Sequence, residues 1–188
     1  MSEDLLTLFR KTGALLEGHF ILRSGLHSRQ YFQCALLLQY TDIAERVCRM
    51  LAGKLQRFDC DAVISPALGG IIVGQEVARA LGKRHIFVEK ENGKLALRRG
   101  FKIDSCEKII VVEDVVTRGG RVSETIDIVR AHGASVTAVG VIVDRSGKAK
   151  PDFGCPFISL IAMEIETFPA DRLPPDLAQI PAVKPGSK

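Results

Sequence analysis

The chain has 188 residues, 46% of them hydrophobic, and a formal net charge of +4; that length suffices for one domain with a substantial core. The charge is too modest to imply a nucleic-acid partner, and no stretch approaches a membrane span, Val139–Val143 being apolar but far too short. The acidic start MSEDLLTLF is not expected to act as a signal peptide, and five cysteines with no CxxC pair (Cys34, Cys48, Cys60, Cys106, Cys155) read as thiols of a reducing cytoplasm, without a zinc site or a catalytic cysteine.

The spacing predicts a short amphipathic helix over Glu3–Lys11, closed by Gly13. Phe20–Leu22 and Gln30–Gln33 follow as a strand pair around a Ser-Gly turn. A helix starts near Thr41 or Asp42, where Asp42 and Glu45 have capping-box spacing, and runs to about Arg57. Strict alternation comes next. Strand Ala62–Ser65 precedes helix Gly70–Leu81, and strand Ile86–Glu89 precedes a polar loop, Lys90–Lys94, and a strand over Leu95–Arg98. Strand Ile109–Val112 precedes helix Arg121–His132, and strands Val136–Val143 and Phe157–Ile161 complete the set. This alternation predicts an α/β fold with a mostly parallel sheet flanked by helices. The tail from Phe168 carries five prolines and is expected to be irregular.

The most informative run is Ile109–Ile126, IIVVEDVVTRGGRVSETI. Its β-branched start suits a parallel strand buried on both faces. Glu113 and Asp114 stand at the carboxyl end, where open α/β sheets hold their ligands. Thr117, Gly119 and Gly120 form a loop that feeds a helix N-terminus, an arrangement suited to anions. A glycine pair also serves ordinary turns, but a buried carboxylate pair with no task is costly. Carboxylates next to a phosphate cradle suit a ligand with a diol and a phosphate, such as a ribose 5-phosphate. Neither GxxxxGK[ST] nor GxGxxG occurs.

The same run resembles the phosphoribosyl-pyrophosphate motif of the type I phosphoribosyltransferases. Three further stretches fit the orotate branch of that family. Gly18–Phe32, GHFILRSGLHSRQYF, is similar to its hood segment; Ser65–Gly74, SPALGGIIVG, to its pyrophosphate loop; and Val143–Gly147, VDRSG, to its base-contacting turn. The four stretches occur in the family's order, and the resemblance covers about residues 3–165. It implies a type I phosphoribosyltransferase fold, one domain over residues 1–188 with a small N-terminal hood at about 14–35 and a tail at about 168–188.

The resemblance also implies roles. Glu113, Asp114, Val115, Val116, Thr117, Arg118, Gly119, Gly120 and Arg121 would bind phosphoribosyl pyrophosphate, the last five around its 5-phosphate. Ala67, Leu68, Gly69 and Gly70 would approach the pyrophosphate through backbone N–H groups. Arg23, Tyr31, Phe32, Thr117 and Arg145 would receive orotate, Arg145 through a fork on its carboxylate. Lys90 and Lys94, with Asp114, would be catalytic, and the Lys90–Lys94 loop is expected to be mobile and shared across a homodimer. Mg²⁺ would arrive with the substrate, without an all-protein site. The chain departs from the family in two places. Its pyrophosphate loop lacks the lysine many orotate enzymes carry, and Arg121 stands where a small hydroxyl residue is usual. His27 and His132 are expected at the surface.

The implied activity is transfer of ribose 5-phosphate to orotate, giving orotidine 5′-monophosphate and pyrophosphate for UMP synthesis, with no nucleic-acid or membrane partner. Two alternatives are a purine-base phosphoribosyltransferase and a non-catalytic regulator that keeps the fold. The hood and Arg145 count against the first. The absence of an added helix-turn-helix or a separate basic face counts against the second.

Overall fold

In a computed structural model, residues 4–22 and 24–185 are described. The single domain expected from the sequence divides into two compact units, one of residues 1–39 and 164–188, the other of residues 40–163.

The first unit contains helix α1 (Leu5–Lys11), strands β1 (Leu15–Ile21) and β2 (His27–Phe32), and the short helix α2 (Cys34–Leu38). The predicted strand pair is present but starts earlier, because Leu15–Phe20 pairs with β2 from Phe32 back to Ser28. The tail belongs here and is not wholly irregular. Strand β9 (Thr167–Phe168) adds to β2, and helix α6 (Pro175–Ala178) follows. Val183 bridges to β1, accepting from Ile21 N–H and donating to the His19 carbonyl, both at 2.8 Å. Arg29 makes a bidentate pair with Asp176 and a further bond to Glu166, and lies over the Phe168 ring. His27 is buried, contrary to the surface position expected of it. Its Nδ1 lies 2.6 Å from Nε2 of His19, whose Nδ1 donates to the Ile180 carbonyl at 2.7 Å.

The second unit is built on a six-stranded sheet in the order β5-β4-β3-β6-β7-β8. Its strands are β3 (Ala62–Pro66), β4 (Arg84–Glu91), β5 (Lys94–Leu97), β6 (Lys108–Val116), β7 (Ser135–Asp144) and β8 (Phe157–Ala162). All neighbours are parallel except β4 and the edge strand β5. The helices are α3 (Thr41–Leu55), α4 (Gly69–Leu81) and α5 (Gly120–Ala131). Side-chain alternation sends Ile64, Val111, Val139 and Val141 into a core with Val122, Ile126 and Val129 of α5. On the opposite face Gly74 of α4 lies over Ser65 and His85, and Leu55 of α3 lies over Gly140. The expected capping box at Asp42 does not form. Tyr40 is the N-cap of α3, with no side-chain cap bond, and Asp42 sits in the first turn, where its charge suits the helix dipole.

A Cβ at Gly140 would lie 2.6 Å from Cδ1 of the fully buried Leu55. Gly140→Val should therefore overpack the α3–sheet layer and destabilise the fold by about 1–3 kcal/mol. Urea unfolding checks this: a lower midpoint at unchanged slope is expected, and an unchanged midpoint would show that the layer relaxes freely.

Candidate active site at the carboxyl end of the parallel sheet

Strand β6 is longer than its apolar run suggests. It continues through Glu113 and Asp114 to Val116, so the acidic pair lies inside the strand and only Thr117–Gly119 forms the loop before α5. The reason is register. Beyond Val111, where pairing with β3 ends, β6 stays hydrogen-bonded to β7, with Glu113 opposite Val141 and Val116 opposite Asp144. The pair is thereby fixed by the sheet.

The acidic residues pack on the start of α4. A Cβ at Gly69 would lie 2.7 Å from an Asp114 carboxylate oxygen, and one at Gly70 would lie 2.9 Å from Glu113 Oε1. These positions must be glycine for the carboxylates to reach the N-terminus of α4, where the helix dipole favours negative charge. Glu113 is 5% exposed and accepts a bond from Asp114 N–H at 3.1 Å. Burial, and then the neighbouring charge of Asp114, push its carboxyl well above the usual carboxylate range. Asp114 is partly exposed and accepts from Val115 N–H at 2.8 Å.

The pyrophosphate-type loop leaves β3 at Pro66. Ala67 donates to the Val88 carbonyl at 2.7 Å, the Ala67–Leu68 peptide is cis, and the Leu68 side chain is 82% exposed. Beneath it lies a polar pair that the sequence reading did not single out. Ser65 Oγ and His85 Nε2 are 2.8 Å apart, under Gly74 of α4. Burial holds His85 down at about 4. Only the β3–β4 pairing brings residues twenty apart together, so no local pattern marks this pair.

The phosphate-type loop is set by Gly119. It has φ +77°, and a Cβ there would lie 2.9 Å from the Phe153 ring. Thr117, Arg118, Gly120 and Arg121 are exposed around it, while Val115 is partly buried and Val116 is buried. Arg121 Nη1 donates to the Ala67 carbonyl at 3.3 Å and so links the two loops. Arg145 joins the same sheet end, its N–H donating to the Val116 carbonyl at 2.8 Å. Asp144, 3% exposed, accepts from Ser146 N–H and Oγ and so shapes that turn.

Two expectations need correction. The Lys90–Lys94 segment is not the open polar loop expected. It is a tight hairpin with Asn92 and Gly93 at its turn, both at positive φ, and with Lys90 paired opposite Leu95 in the β4–β5 ladder. The Asn-Gly dipeptide was the sequence signal for this. Glu124 of α5 accepts from Leu95 N–H and ties the hairpin down. Phe32 is 4% exposed and meets Phe9 edge-to-face at 5.1 Å, so it is core of the first unit and not ligand surface. Arg98 and Arg99, in the same basic stretch, are engaged by Glu91 and Glu89. Tyr31 is partly buried beside Phe20 in the first unit, and Arg23 lies outside the described residues.

A buried acidic pair, a glycine-started helix and a phosphate-type loop on one parallel sheet define a phosphoribosyltransferase-type site. Accordingly, the family model described as a phosphoribosyl transferase domain matches residues 37–171. Over its full length the chain is 50% identical to orotate phosphoribosyltransferase of Caldicellulosiruptor bescii, covering 99% of that protein. It is 47% identical to the enzyme of that name from Desulforamulus reducens over 99% of this chain and 97% of the relative. The crystal structure of orotate phosphoribosyltransferase from Aeropyrum pernix superposes with a TM-score of 0.69 at 27% identity, over 84% of this chain and 94% of that one. The chain belongs to the orotate phosphoribosyltransferase family.

His85 supplies a pH test of the site's foundation. The unfolded chain binds a proton at the ordinary histidine value near 6.5, whereas the folded chain resists until about 4. Stability should therefore be lost as pH falls through that window. Melting curves between pH 7.5 and 4 should show a shallower fall for His85→Gln, which cannot titrate. Identical slopes would place His85 in water.

Proposed function

We infer that this protein transfers the ribose 5-phosphate group from phosphoribosyl pyrophosphate to orotate, releasing pyrophosphate and orotidine 5′-monophosphate in the synthesis of UMP. The similarity to orotate phosphoribosyltransferases across the whole chain carries this reading, and each part of the substrate has a candidate partner at the sheet end. The 5-phosphate suits the backbone N–H groups of Thr117–Gly120 at the start of α5. The ribose hydroxyls suit Glu113 and Asp114. In its protonated form Glu113 can donate as well as accept. The pyrophosphate suits the backbone of Ala67–Gly70, which the glycines allow it to approach. Arg145 would hold the orotate carboxylate in a fork, beside Thr117.

Lys90 stands on the strand next to β3, two residues beyond the Val88 that pairs with Pro66. With Lys94 across the turn it would add positive charge at the same sheet end. The reaction needs this charge, because the ribose becomes oxocarbenium-like as negative charge grows on the departing pyrophosphate.

Mg²⁺ fits the donor set. The Asp114 carboxylate is partly exposed at the sheet end and, with Glu113, offers hard oxygen ligands, the remainder coming from substrate oxygens. Bound there, the metal would neutralise pyrophosphate charge. A homodimer is part of the proposal on the family's pattern, and a cytoplasmic location on the five free thiols. Cys48 is pushed up to about 12 by burial, which leaves it an inert core residue.

A panel of orotate, uracil, hypoxanthine, xanthine and adenine, each with phosphoribosyl pyrophosphate and Mg²⁺, tests the base. Orotate alone should be consumed efficiently, and preferential use of a purine would overturn the assignment. Arg145→Ala should raise KM for orotate by an amount worth about 2–5 kcal/mol, the usual loss for a desolvated charge partner, and affect phosphoribosyl pyrophosphate much less. Equal weakening of both substrates would contradict the fork.

A further inference from the structure

The reaction leaves one electrostatic demand that the fixed parts of the site do not meet on their own. Pyrophosphate departs carrying a growing negative charge, yet the loop that would hold it, Pro66–Gly70, contains no cation. The 5-phosphate has the backbone N–H groups of Thr117–Gly120 and the start of the twelve-residue helix α5. It therefore does not require a guanidinium. Arg121, on the first turn of α5, does not turn back over that loop. Its Nη1 reaches across to the Ala67 carbonyl at 3.3 Å, on the other loop, and the side chain is exposed. Its positive charge is also felt at Glu113, where it draws the carboxyl down against the effect of burial. Arg121 thus stands between the acidic pair and the pyrophosphate-type loop, anchored by one nitrogen with its other N–H donors available for phosphate oxygens.

We propose that Arg121 is a catalytic residue for the leaving group: steadied by the Ala67 carbonyl, it binds pyrophosphate rather than the 5-phosphate. The proposal rests on the phosphoribosyl transfer inferred above. In that step a ring nitrogen of orotate bonds to C1 of the ribose as the bond from C1 to the pyrophosphate oxygen breaks. The electron pair leaves with pyrophosphate, and the nitrogen's proton passes to solvent. Arg121 meets the charge that appears on the departing oxygens, an interaction stronger in the transition state than in the bound substrate.

The reaction run in both directions separates the possibilities. Wild-type protein is first assayed with phosphoribosyl pyrophosphate and orotate, then with orotidine 5′-monophosphate and inorganic pyrophosphate, each with Mg²⁺. No wild-type turnover of these pairs would sink the functional reading itself, independently of Arg121. Arg121→Met keeps the unbranched apolar stem of the side chain and removes the guanidinium with its charge, and Arg121→Lys restores a charge without the fork. The Met variant should lose about 10²–10³ in kcat in both directions. It should also raise KM for inorganic pyrophosphate by about tenfold or more. Its affinity for orotidine 5′-monophosphate, measured calorimetrically, should be unchanged, because that ligand carries the 5-phosphate and no pyrophosphate. The Lys variant should recover part of the loss. If the Met variant binds orotidine 5′-monophosphate as poorly as it uses pyrophosphate, Arg121 belongs to the 5-phosphate and the proposal fails. It fails equally if neither quantity moves.

Discussion

The constraint on which the rest of the site depends is the placement of two carboxylates inside a strand, against the first turn of a helix. Glu113 and Asp114 would be a liability in an ordinary sheet, since burying charge without compensation costs several kcal/mol. Here the cost is offset in three ways. The helix dipole of α4 favours their charge, Glu113 is held toward its protonated form by burial and by Asp114, and Asp114 keeps one side toward water. Gly69 and Gly70 make the arrangement possible, because any larger residue would occupy the space of the carboxylates. The same two glycines begin the helix that carries the pyrophosphate-type loop. One packing contact therefore fixes both of the parts of the site proposed to hold the diol and the pyrophosphate.

From that contact the other loops follow by sheet register. Pairing of β6 with β7 carries Val116 to the level of Asp144, so the phosphate-type loop and the Arg145 turn emerge side by side. Pairing of β3 with β4 sets Lys90 one strand away from the Pro66–Gly70 loop. Beneath α4, Ser65 and His85 occupy the space that Gly74 leaves, which lets the helix sit close on the sheet there. The candidate site lies at the carboxyl ends of the strands because the loops and helix starts gather there.

Much of this was legible in the sequence. Val/Ile runs marked the buried strands because parallel strands are covered on both faces. The acidic pair with its glycine loop marked a candidate site because few structural roles need that combination. What escaped was whatever depends on partners distant in sequence. The β6 strand outlasts its apolar run because β7 remains alongside it. The basic stretch read as a mobile loop is a hairpin, for which the Asn92–Gly93 dipeptide was an unused local signal. His27 is buried because the tail returns to the first unit and places Ile180 beside His19. Phe32 fills the core against Phe9, which a motif of aromatic residues cannot distinguish from a ligand platform.

The central claim is that the pair on β6 is the ribose-binding centre and not a structural element. The most direct measurement is the affinity of the double variant Glu113→Gln, Asp114→Asn for phosphoribosyl pyrophosphate with Mg²⁺, read by calorimetry beside its melting temperature. Both substitutions keep size and remove charge. The account predicts a large loss of affinity at a melting temperature equal to or above that of the wild type, since a buried carboxylate pair is replaced by neutral amides. Unchanged affinity, or a loss explained by unfolding alone, would contradict it.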